Sequence, residues 1–78
     1  LLHVRHNQLG TGGASISYTI RVNGVATLLT VTALAIAAGG ADLVDVVAVA
    51  QGDYVDVEVV VTGGGNLPKD ITASVALN

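Results

Sequence analysis

Two glycine clusters, two histidines and a handful of acids are the only places where this 78-residue chain invites a chemical reading. Gly10-Thr11-Gly12-Gly13 and Gly63-Gly64-Gly65 have the look of phosphate loops. A working phosphate loop needs Gly-Lys-Ser/Thr opening a helix, and a dinucleotide fingerprint needs its glycines between a strand and a helix. Here each cluster is flanked by strand-like sequence and carries no Lys in place, so both read as flexible turns. His3 and His6 lie three residues apart. On an extended strand their side chains point to opposite faces, which is poor geometry for one shared ion. A symmetric oligomer could gather copies of one His on an axis; two polar strand positions are the simpler reading.

Asp42, Asp45, Asp53, Asp56 and Glu58 hold most of the negative charge. Asp56 and Glu58 share one strand face, where a calcium site or a carboxylate pair can be imagined. Calcium takes about six to eight oxygens, usually from a loop, and glycosidase carboxylates sit across a cleft. This spacing specifies neither, and acids on an outer strand face already deter edge-to-edge aggregation. Without Cys, and with no His set against a Ser or Asp as nucleophile and base, the sequence points away from catalysis. A chain this short also has little room for a deep pocket. No enzyme activity, cofactor or metal is expected.

The elements that carry these residues follow from composition. One domain spans 1–78; Leu1 stands where an initiating Met would, so the chain reads as lacking earlier residues or as a processed piece of a longer one. A domain of this size buries only about 60% of the surface its unfolded chain exposes. Small scaffolds usually need a disulfide, a metal or a partner, and zero Cys excludes the first. Hydrophobic residues make up 51% of the chain and charged ones 12%, which predicts that part of the apolar excess is buried against other subunits. The apolar set is Val, Leu, Ile and Ala, with no Phe, Trp or Met and only two Tyr; β-branched residues suit pleated strands. Net charge is −3, with Arg5, Arg21 and Lys69 the only cations, too few for phosphate binding, and aromatic stacking platforms are missing too. No nucleic-acid partner is expected. No apolar run reaches the ~18–20 residues that span a bilayer, and the start has no signal-peptide pattern, so no membrane role is expected either.

Six strands are predicted: roughly Leu1–His6, Ser15–Val22, Val25 to about Ile36, Leu43–Ala50, Tyr54–Thr62 and Ile71–Leu77. In the second, Ile16, Tyr18, Ile20 and Val22 alternate with Ser15, Ser17, Thr19 and Arg21. Asn23-Gly24 fits a type I′ hairpin turn and sets Val22 opposite Val25, continuing as Ile20–Thr27, Tyr18–Leu29 and Ile16–Val31. The end of the third strand, Ala33 to Ala38, reads as covered on both faces. A helix through Ala33–Ala50 competes, but Gly39-Gly40 and the Val-rich stretch after it oppose it. Gln51-Gly52-Asp53 reads as the turn of a second hairpin, with Gly52 and Asp53 its shaping residues. Val55, Val57, Val59 and Val61 form the dry side of the fifth strand, and Ile71, Ala73, Val75 and Leu77 are expected to be buried. Short strands with glycine turns indicate a small antiparallel β-sandwich, jelly-roll-like, of about six strands.

The stretches Ser17-Tyr18-Thr19-Ile20-Arg21-Val22-Asn23-Gly24-Val25-Ala26-Thr27 and Val47-Ala48-Val49-Ala50-Gln51-Gly52-Asp53-Tyr54-Val55-Asp56-Val57 together resemble small jelly-roll-like domains of bacteriophage virion proteins and, distantly, TNF-like trimers. The resemblance implies a homotrimer on a capsid exterior, or at the tip or shaft of a fibre. This chain is shorter than the larger members and lacks the aromatic residues that fill their trimer axes. Two functions follow. The first is a capsid decoration or cement subunit, whose apolar faces join copies to each other and to a larger capsid or fibre assembly. The second is a receptor- or glycan-binding domain of a phage fibre or a bacterial surface protein, which would be extracellular or on a cell surface. Sugar sites favour aromatic platforms; only Tyr18 and Tyr54 qualify, and Tyr18 is expected to face the core.

Overall fold

The computed structural model describes residues 1–76. It contains six strands and, among the described residues, no helix: β1 Leu2–Gln8, β2 Ser15–Val22, β3 Val25–Leu34, β4 Gly39–Asp42, β5 Val55–Thr62 and β6 Lys69–Val75. They form two three-stranded sheets of order β4-β1-β6 and β3-β2-β5, with every neighbouring pair antiparallel. The all-β sandwich expected from strand alternation and glycine turns is the observed architecture.

The β2–β3 hairpin forms where Asn23 and Gly24 both take positive φ (53° and 80°), as a type I′ turn requires. Val22 pairs with Val25 and Arg21 with Ala26, and then the register shifts. Thr19 pairs with Thr30, Tyr18 with Val31 and Ile16 with Ala33, so the expected Tyr18–Leu29 and Ile16–Val31 pairings are displaced by two residues. Thr27-Leu28 is the excess, and the Thr27 side chain fills the break in the ladder. Its hydroxyl donates to the Ile20 carbonyl (2.7 Å) and accepts the Leu29 N–H (3.2 Å). An even shift keeps every side chain on its face, so Leu29, Val31 and Ala33 remain buried.

Three further expectations fail. The fourth strand is Gly39–Asp42, paired to β1, whereas 43–50 forms no strand. Hence there is no second hairpin. Glycine is what admits β4: a Cβ on Gly40 would come within 2.9 Å of the Val31 side chain, so only a bare backbone passes so close to β3. Beyond Ala33 the chain is not covered on both faces, since Leu34 and Ile36 are exposed. On β6, Ile71, Ala73 and Val75 are exposed rather than buried; Leu77 lies outside the described residues.

The core joins Leu2 and Val4 of β1 to Ile16, Tyr18 and Ile20 of β2 and to Leu29, Val31 and Ala35 of the β3 side, with Val47 closing one end. Burying each Val, Leu or Ile of this set contributes roughly 1.5–3 kcal/mol. The same alternation that buries Leu2 and Val4 buries His6. Its Nδ1 lies 2.9 Å from the Ala37 carbonyl, which only accepts, so Nδ1 carries the proton. Nε2 then accepts from the Tyr18 hydroxyl at 2.8 Å, and burial pushes the Tyr18 phenol up, keeping it a donor. This pair ties the two sheets together through the core.

Replacing Tyr18 with Phe leaves Nε2 of His6 buried without a partner. The expected loss is about 1–3 kcal/mol, read as a lower midpoint in urea unfolding at unchanged slope. An unaltered midpoint would show that the bond does not contribute.

Candidate functional site

The two glycine clusters, distant in sequence, meet at one end of the sandwich. The Thr11 N–H donates to the Asn66 carbonyl (2.8 Å), and the Asn66 N–H reaches the Thr11 hydroxyl (3.3 Å). A Cβ on Gly65 would run into the Thr11 carbonyl, and one on Gly10 into that of Asn66. The glycines therefore serve backbone-to-backbone packing, and the loops are interlocked rather than loose turns. Beside them lies a cleft of about 480 Å³ whose polar lining is Gln8, Thr11, Asn66 and Lys69. It holds one cation and no aromatic ring.

At the opposite end the residues assigned to turns converge. The Asn23 N–H donates to the Tyr54 carbonyl (2.8 Å), the Tyr54 N–H donates to the Asn23 side-chain oxygen (3.0 Å), and the Asn23 amide donates to Asp53 (3.0 Å). Asp53 also accepts the Ala50 N–H (2.8 Å), while its own N–H donates to the Ala50 carbonyl (3.1 Å) and Gly52 has φ 92°. Both donors to the carboxylate, Ala50 foremost, hold the Asp53 carboxyl below the usual range. Asn23, Gly24, Gly52 and Asp53 thus clip the hairpin turn to the start of β5, though no hairpin precedes it.

Asp56, Glu58 and one of the two histidines are occupied by structural work. Arg21 donates from Nε and Nη2 to the two oxygens of Asp56 (2.9 and 2.7 Å), with Glu58 3.7 Å from Nη1. The hydrogen bond to Arg21 lowers the Asp56 carboxyl. His3 is exposed and His6 is buried with both ring nitrogens engaged. Among the described residues no three His, Cys, Asp or Glu side chains gather as a metal site would require.

Asp42 explains why the Val-rich segment 43–50 is not a strand. One carboxylate oxygen accepts the N–H groups of Val44 (3.2 Å) and Asp45 (3.1 Å), and the other accepts that of Thr30 (3.2 Å). The side chain takes donors that a ladder would need and turns the backbone away. The segment then crosses the end of the sandwich with Val47 inserted into the core and Val44 and Val46 in solvent.

What remains is an apolar surface. In the unbroken β2–β5 register Ile16 pairs with Val61, Tyr18 with Val59, Ile20 with Val57 and Val22 with Val55. Cross-strand partners share a face, so these four valines point to the core side. They are nonetheless 37–54% exposed, and the dry side expected for β5 is uncovered. On the other sheet Val4 pairs with Ala73, Leu2 with Val75 and His6 with Ile71, and Ile71 and Val75 are 43% and 37% exposed. The sandwich is packed along β3, β4 and β1 and open along β5 and β6. Alternation told which residues face inward; the excess of inward valines over available cover was the signal for an open side.

Fold and surface define a small all-β sandwich with one unfinished flank. No family model, curated protein or solved structure matches the chain.

The turn after β4 has a pH signature. The Asp42 carboxyl is lowered to about 2, chiefly by the Asp45 N–H. A folded value below the unfolded one, ~3.9, means stabilisation that is complete above the unfolded value and lost as pH falls through the folded one. The Asp45 carboxyl is raised by its hydrogen bond to Asp42 and works in the opposite sense. Thermal melts of the Asp42→Asn variant should lie below wild type at neutral pH, and the gap should close as pH drops from about 4 to 2. A gap independent of pH would contradict this role.

Proposed function

We propose that this chain is a structural interaction protein: a capsid decoration or cement subunit that joins copies of itself, and a larger virion lattice, through uncovered apolar faces. The observation that carries the reading is the open flank of β5 and β6. Four inward valines and Ile71 and Val75 stand in solvent there. Soluble monomers seldom leave contiguous apolar patches beyond a few hundred Å² uncovered, and such patches mark protein partners. Low charge and the resemblance of the turn motifs to phage virion domains support the same reading. In this reading the protein sits on a virion exterior, binds no nucleic acid and requires no cofactor.

A second reading, a receptor- or glycan-binding domain, has the cleft beside the interlocked glycine loops in its favour. Against it, Tyr18 is buried at 2% exposure, and the 80%-exposed Tyr54 belongs to the opposite end of the sandwich. The cleft thus lacks the aromatic platform that sugar rings prefer.

Light scattering across a dilution series is expected to give a closed homo-oligomer persisting into the low micromolar range. A monomer at every concentration, with binding on a glycan array, would transfer the assignment to the recognition domain.

A further inference from the structure

β5 is the last strand of its sheet, and one of its two edges faces no other strand. The Asn23 N–H to Tyr54 carbonyl bond continues the β2–β5 ladder one step past the Val22–Val55 pair. In an antiparallel strand both backbone groups of a residue point to the same side. Tyr54 therefore fixes the parity: Asp56, Glu58, Val60 and Thr62 turn their N–H and C=O toward β2. Val55, Val57, Val59 and Val61 turn theirs outward, where β5 ends its sheet. The same four residues carry the uncovered inner side chains. Edges are normally protected by charged residues, especially Lys, by Pro or by a bulge; Val55–Thr62 contains no Lys or Pro, its register to β2 is unbroken, and its two acids, Asp56 and Glu58, lie beside Arg21.

We infer that the occupant of this edge is β5 of a second copy, paired antiparallel about a two-fold axis through Val59. The inference rests on reading the protein as self-associating. Side chains discriminate among the possible registers. A two-fold midway between residues would set inner side chains against outer ones. A two-fold at Glu58 places Glu58 opposite itself, and one at Val57 places Asp56 opposite Glu58; like charges directly opposed are unfavourable. A two-fold at Val59 gives the longest overlap free of that conflict. Val59 meets Val59 of the second copy, Val57 meets Val61, Glu58 meets Val60 and Asp56 meets Thr62. Every inner pair is valine on valine, and about six backbone hydrogen bonds form between the copies. Arg21, bound to Asp56 and near Glu58, offsets the acids that would otherwise repel a second acidic edge. The product is a continuous sheet β3-β2-β5-β5-β2-β3, and a two-fold contact builds even-numbered assemblies rather than the trimer implied by the resemblance.

The Val59 N–H points outward, so Val59→Pro removes two intermolecular bonds and none within the chain. It should weaken association roughly ten- to hundredfold while far-UV circular dichroism stays that of wild type. Val59→Lys, which sets two cations opposite each other, should act likewise and guards against misfolding of the proline variant. Amide exchange should slow at Val57, Val59 and Val61 as wild-type concentration rises. A trimer, or an assembly insensitive to both variants with those amides exchanging freely, overturns the two-fold edge and leaves the self-association reading standing. A wild-type monomer at all concentrations overturns both.

Discussion

A two-layer sandwich can dry only those strands that have a strand opposite them. Here each sheet has three strands, and the layers meet along one flank, where β3 lies against β4 and β1. Apart from Val47, the buried cluster lies on that flank and on or next to the central strand β2. The His6–Tyr18 bond ties β1 to β2 through the core interior. On the other flank β5 and β6 continue their sheets without cover, although their side chains alternate as core strands do. The function proposed for the protein starts from that imbalance, an excess of inward valine without cover.

The local part of the fold was legible in the residues. Asn23-Gly24 has one natural backbone geometry, and the alternation of Ile16, Tyr18 and Ile20 could place those side chains on only one face. At two of the departures from expectation, a side chain intervenes in the backbone ladder. Thr27 supplies a hydroxyl that replaces ladder partners and moves the register by two residues. Asp42 captures the N–H groups of Val44 and Asp45, so a segment with the composition of a strand becomes a crossing. Neither event leaves a trace in periodicity, because the competing acceptor is a single polar residue. Gly39-Gly40, which reads locally as a break, becomes a strand through pairing with β1 across the chain.

The candidate surface was half legible. Composition points to an apolar surplus and alternation picks out the valines of β5, but a strand's alternation reports direction and not cover. Only the placement of β5 at the rim of its sheet turns a presumed core face into exposed surface. The chemical candidates went the other way. Gly65 is absorbed by backbone packing, Asp56 by its pair with Arg21 and His6 by burial with both ring nitrogens engaged, while His3 stays exposed.

One chain leaves its β5–β6 flank open. Methyl NMR with a soluble paramagnetic agent reads that directly. In dilute protein, the methyls of Val55, Val57, Val59, Val61 and Ile71 should relax strongly while those of Leu2, Val4, Ile16, Ile20 and Leu29 stay shielded. Raising the concentration should shield the β5 valines selectively. Shielding of those valines at every dilution in a monomeric sample would mean that the chain closes its own core, and the account would fail.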